Sequence, residues 1–183
     1  MADALITAPQ LRTIMPLAEA RADVFAGPLA AAMLQFEVNT PTRAAGFLAQ
    51  VGHESGQLRL LREIWGPTQA QRRYEGRADL GNTEAGDGKR FMGRGLIQIT
   101  GRKNYLLCGF GLHLDLIVHP ELLEQPDHAA ASAGWYWQTN NLNRFADAGD
   151  FVGLTRAING GINGIADRRA LWARAKTALG VNS

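Results

Sequence analysis

Two glutamates, Glu54 and Glu63, stand nine positions apart beside glycine and aromatic residues. Two carboxylates facing each other across a groove are what hydrolysis of a glycosidic bond needs: one protonates the leaving oxygen, the other acts as base or nucleophile. On one continuous helix, nine residues amount to about 900° of rotation and put the two on opposite faces. The chain must therefore bend between them to build a site, and Gly56 offers the place. Taken singly, each glutamate reads more simply as a solvated charge at a helix end.

Other chemistries find little support. His53-Glu54 begins like a zinc-protease helix, but Gln57 stands where the second histidine belongs, and His113, His119 and His128 are scattered. No metal and no other cofactor is expected. Ser55 lies in Gly52-His53-Glu54-Ser55-Gly56, which is not a nucleophile elbow, and Gly93-Arg94-Gly95 lacks the third glycine of a dinucleotide fingerprint. The single cysteine, Cys108, sits among apolar residues and reads as a buried small hydrophobe. Nineteen basic against 17 acidic residues give a formal charge of +2, and no nucleic-acid reader motif is present, so a nucleic-acid partner is not expected.

The positioning elements are mostly helical. The chain has 183 residues, 46% hydrophobic and 20% charged, which suits one folded domain over residues 1–183. Phe25, Leu29, Ala32, Met33 and Phe36 mark one face of a helix expected to end near Asn39. Thr40 as N-cap and Pro41 in the first turn open the next helix, whose stripe of Ala44, Phe47, Leu48 and Val51 delivers His53 and Glu54 to its C-terminal end. From Gly66 to Gly95 glycines and charges alternate. This stretch predicts loops, short helices and a small β-hairpin, in a lobe of about residues 56–97 inserted into a helical body. Helical patterning resumes over Gln98–Leu107. Asp127 is the expected N-cap of a helix through Ala130, Ala133 and Trp137. A turn cluster over residues 159–164 precedes a last helix carrying Leu171, Trp172, Ala175 and Leu179. The longest apolar run, Pro28–Leu34, is too short for a bilayer, so no stable membrane insertion is expected. Residues Met1–Thr7 include Asp3 and no basic n-region.

Four blocks in order, His53–Gly56, Phe91–Gly101 (FMGRGLIQITG), Asn104-Tyr105 and Ile158–Gly161, closely resemble the pattern of glycoside hydrolase family 19, which includes chitinases and lysozyme-like phage endolysins. The stretches Leu61–Thr68 and Tyr74–Arg77 look more like the phage type than the plant type. The resemblance implies a mainly α, lysozyme-like α+β bilobal fold with a minor β-hairpin and a central cleft. It implies Glu54 as general acid, Glu63 as the base that activates water, and Thr100 as a hydroxyl that helps hold that water. Gln98, Asn104 and Asn159 match polar residues of the sugar cleft. Tyr105 reads equally as a cleft residue or as a core aromatic. Arg168 or Arg169 corresponds to an arginine that contacts the base carboxylate. Glu75 and Glu84 are the alternative bases.

An inverting reaction places the two carboxyl groups roughly 6.5–9.5 Å apart and requires a proton on Glu54, held there by apolar burial or a nearby carboxylate. One cysteine in place of several disulfides, and a shorter chain than the plant enzymes, favour bacterial peptidoglycan over chitin. The expected protein is a monomeric endolysin, made in a bacterial host cytoplasm and acting on the wall after release. The alternatives are a chitinase, a non-catalytic glycan-binding module and a lytic transglycosylase.

Overall fold

The computed structural model describes residues 5–181; of the N-terminal stretch without an n-region, Met1–Ala4 lie outside that range. Ten α-helices follow in order: α1 (Ala8–Ile14), α2 (Arg21–Gln35), α3 (Pro41–Glu54), α4 (Gln69–Arg72), α5 (Asp87–Arg90), α6 (Arg102–Leu112), α7 (Pro126–Thr139), α8 (Asn143–Asp147), α9 (Phe151–Asn159) and α10 (Ile165–Ala178). Among the described residues no helix is long and apolar enough to cross a membrane.

The start of α3 follows its sequence signals. The Thr40 hydroxyl accepts from the Arg43 amide at 3.3 Å, and Pro41 fills the first helical position. The α3 stripe is buried against α10, while α2 packs on α7. Together with Trp137, Leu154 and Leu171 they form the larger of two cores. A smaller core gathers Phe91, Ile99, Tyr105, Cys108, Leu116 and Leu123. Tyr136 packs against both, so the groove between them has a shared aromatic wall. This is the two-lobed, mostly helical arrangement of a lysozyme-like fold.

The turn after α3 is the feature that makes the site. Gly56, Gln57 and Leu58 all take positive φ, at 56°, 61° and 68°. Left-handed conformation costs a residue with a Cβ about 1–2 kcal/mol, so two such residues need support. The Ser55 hydroxyl donates to the Val51 carbonyl at 2.7 Å and accepts from the Leu58 amide at 2.8 Å. Arg21 donates to the Leu58 carbonyl at 3.1 Å, and the Gln57 side chain accepts from the Leu17 amide at 2.9 Å. The Leu58 side chain is fully buried, a gain of about 1.5–3 kcal/mol that offsets the backbone cost.

Four expectations need correction. The α2 helix ends at Gln35 rather than near Asn39, because Glu37 turns left-handed (φ 59°) and the Val38 amide returns to the Met33 carbonyl. The helix expected from Gln98 starts at Arg102; residues 98–100 lie in a loop instead. Among the described residues the β-hairpin is replaced by two isolated bridges, Arg62 to Arg94 and Arg94 to Ile99. The chain reverses between Gly95 and Gln98, too soon after Arg94 for a ladder to extend. Helix α7 is capped at Gln125, with Pro126 in its first turn, so Asp127 lies inside the helix.

Two outcomes follow from this packing. Ser55→Ala strips the buried Leu58 amide of its acceptor and should cost about 1–3 kcal/mol in chemical denaturation. Burial pushes the Cys108 thiol up to about 12 and raises Tyr74, Tyr105 and Tyr136 above the ordinary tyrosine range. The folded state therefore holds these protons more tightly than the unfolded chain. Their contribution is complete below the unfolded values and lost as pH rises from about 9 upward. The denaturation midpoint should fall steadily between pH 9 and about 12.

Candidate active site

Glu54 is the last residue of α3, and its carboxylate is 23% exposed. Its Oε1 accepts from Arg168 Nη2 at 2.5 Å. Arg168 is 2% exposed and uses its whole fork: Nε donates to the Asn163 carbonyl at 3.1 Å and Nη1 to Gln50 Oε1 at 2.5 Å. Gln50 in turn donates to the Thr155 hydroxyl at 3.0 Å. A buried guanidinium must be fully paired, and this relay pairs it while joining α3, α9 and α10. Among the described residues Glu54 Oε2 has no hydrogen-bond partner, so one oxygen of this partly exposed side chain stays free of protein contacts. The arginine thus sits on Glu54 and not on Glu63, the reverse of the expected pairing, and Arg169 is exposed. The immediate partner of Glu54 is a cation, not the apolar wall or second carboxylate expected around it.

Next to Glu54, His53 Nδ1 bonds Asp167 at 2.6 Å. Gly164 (φ 70°) lies under that ring, and a Cβ there would collide with His53 Cε1. The glycine of the 159–164 turn is therefore fixed by the close approach of the histidine.

Glu63 belongs to the excursion that follows the left-handed turn. Its amide donates to the Gly93 carbonyl at 2.8 Å. Three donors meet its carboxylate: Gln71 Nε2 at 3.0 Å and Tyr74 hydroxyl at 3.3 Å on Oε1, and the Gly93 amide at 3.2 Å on Oε2. Donors alone suit an anion, which has only acceptors to offer. Burial first, then the Glu63 charge, raises the Tyr74 hydroxyl, which keeps it a donor.

Gly93 also joins Glu63 to the predicted cleft residues. A Cβ on Gly93 would lie 2.7 Å from Gln98 Oε1 and 3.3 Å from Thr100 Oγ1, so these side chains crowd the glycine whose amide holds Glu63. Thr100 donates to the Gln98 carbonyl at 2.9 Å, and Asn104 donates to the Thr100 carbonyl at 2.7 Å. Gln98, Thr100 and Asn104 line one cavity of about 310 Å³, closed on its far side by Trp135, Tyr136 and Asn140. Burial first, then the Glu54 charge, raises the Tyr136 hydroxyl.

Other candidates are placed elsewhere. Tyr105 is fully buried, and its hydroxyl donates to the Met92 carbonyl at 2.6 Å and accepts from Arg94 at 3.0 Å. It fixes the loop before Gly93, so of its two readings the cleft residue is set aside and the core aromatic holds. Asn159 is half-buried and donates to the Asn163 carbonyl, the acceptor that Arg168 also uses. Glu75 accepts from the amides of Gly86 and Gly88 at 2.6 and 2.9 Å, and Glu84 pairs with Arg102; both pin loops. The sequence reading assigned no role to Gln50, Gln71, Tyr74 or Asp167. Only Tyr74 lay within a motif that could have flagged it.

In this two-lobed helical body Glu54 and Glu63 are anchored independently, one by Arg168 and the other by Gln71, Tyr74 and Gly93. The family model described as chitinase class I, Glyco_hydro_19, matches residues 39–156. The chain therefore belongs to glycoside hydrolase family 19. A glycosyl hydrolase family 19 domain-containing protein of Haemophilus influenzae is 35% identical over 156 residues, covering 70% of this chain and 76% of that protein. Endochitinase CHI of Arabidopsis thaliana is 34% identical over 116 residues, covering 63% of this chain and 41% of the plant protein. Chitinase C from Streptomyces griseus HUT6037 matches with a TM-score of 0.75 at 25% identity, over 98% of this chain and 78% of that one.

Tyr74→Phe removes one of the three donors on Glu63. A hydrogen bond to a charged group of this kind predicts a fall in kcat of about tenfold with KM nearly unchanged, read by steady-state kinetics on a soluble glycan.

Proposed function

We propose that this chain hydrolyses β-1,4 bonds in N-acetylated glycans with inversion, using Glu54 as general acid and Glu63 as general base. The observation that carries the reading is the unequal treatment of the two carboxylates. Glu54 is clamped by Arg168 through Oε1 alone, and its Oε2, without a partner among the described residues, is the oxygen left to face a glycosidic oxygen. Glu63 is held as an acceptor by three donors, beside the Thr100 and Gln98 side chains. In an inverting step the proton on Glu54 passes to the glycosidic oxygen as that bond breaks. Glu63 takes a proton from a water that attacks the opposite face of the sugar. Thr100 is the hydroxyl close enough to Gly93 to help orient that water.

The substrate we favour is bacterial peptidoglycan, as for a monomeric endolysin that lyses a host cell from within. A lone cysteine, which leaves no internal disulfide to form, and the cationic surface around Glu63 support this. A second reading, chitin, is favoured by the relatives whose names describe chitinases and endochitinases. Digestion of purified cell wall and of colloidal chitin in parallel, with mass spectrometry of the products, separates the two.

Glu54→Gln keeps an acceptor for Arg168 and should fold normally while losing about 10²–10⁴-fold in turnover; comparable turnover by folded variant and wild type would remove Glu54 as the acid. Proton NMR of fresh product should show the α anomer, and a β product would contradict a water-activating Glu63.

A further inference from the structure

Beside Glu63 lies a basin of about 690 Å³ whose charge the hydrolytic step does not use. Four cations line it, Arg21, Arg59, Arg62 and Lys89, against two carboxylates, Glu63 and Glu124. Glu124 is already engaged, by Arg94 at 2.8 Å and Arg62 at 3.6 Å. Glu63 is held by neutral donors. Arg21 and Arg59 spend N–H groups only on the carbonyls of Leu58 and Gly56, which leaves their charge uncompensated. Lys89 has no hydrogen-bond or ion-pair partner among the described residues. Ile64, 78% exposed, and Trp65 add apolar surface to the same wall.

An uncharged polymer of N-acetylglucosamine can use the donors and the Trp65 surface but leaves the excess positive charge of the basin unmatched. We infer that it is a subsite for the carboxylates of an acidic peptide borne by the glycan, engaged while the sugar that carries the peptide sits next to Glu63. The inference rests on the glycosidase reading and names the substrate class that this site selects. A stem of four residues reaches up to about 13 Å from its sugar, and Glu63 and Lys89 line the same basin. Clustered cations with low-dielectric walls concentrate anions and speed their capture, more so at low salt.

The test uses Lys89→Glu, which reverses one charge without removing a protein contact, and Arg59→Gln as a second variant. The first measurement is binding, by calorimetry in a Glu54→Gln background, of a synthetic muramyl tetrapeptide and of an N-acetylglucosamine tetramer. The second is the ratio of kcat/KM on intact peptidoglycan strands to that on strands stripped of peptide by an amidase. We expect Lys89→Glu to weaken the muramyl peptide at least about tenfold relative to the neutral tetramer. The kcat/KM ratio should fall likewise, and the salt dependence of binding should flatten. Equal weakening of both ligands, or an unchanged ratio in both variants, overturns the subsite. Absence of turnover by the unsubstituted protein on every glycan, while the binding difference persists, overturns the catalytic reading and leaves the subsite supported.

Discussion

The site depends on a chain reversal that the backbone resists. Three consecutive residues after α3 are left-handed, and two of them carry side chains. Ser55, the third residue of the His53-Glu54-Ser55-Gly56 block, closes that reversal through its hydroxyl, and the burial of Leu58 holds it. Without it α3 would run on, and Glu63 would emerge on the far side of the helix from Glu54. The serine of the motif is thus part of the scaffold that turns a helix end into one wall of a groove.

The two walls are built by different physics. On one, Arg168 is buried in the helical body and satisfied by Gln50, Asn163 and Glu54, so Glu54 takes its position from α3 and α10 together. On the other, Glu63 is set by Gly93, Gln71 and Tyr74, all outside the large core. Gly93 is common to both sides of the chemistry, since its amide reaches the carboxylate and its Cα lets Gln98 and Thr100 crowd in. The glycine-rich block is thereby explained as a joint between Glu63 and the side chains of Gln98 and Thr100.

What the sequence disclosed was local. The Thr40-Pro41 start, the burial of Cys108 and the need for a bend at Gly56 all follow from residues within one turn of each other. Membership of the family was legible because its blocks are long and ordered. The partner of Arg168 was not, because Glu54 lies 114 residues away and no spacing rule spans that distance. Helix geometry decides between the two readings of Tyr105: adjacent residues on a helix point about 100° apart. Asn104 therefore faces the cleft while Tyr105 faces the core. The hairpin failed because alternation in a glycine-rich stretch says nothing about how soon the chain turns back.

Between Arg59 and Arg90 no hydrophobic side chain is fully buried. Gln71, Asn82 and the Asp87–Arg102 pair hold that excursion by polar contacts instead. Apolar burial, the main adhesive of the helical body, is nearly absent from this excursion, which carries Glu63. Its local opening therefore belongs to the low end of the molecule's stability range, so the segment under Glu63 loosens before the helices that hold Glu54 through Arg168.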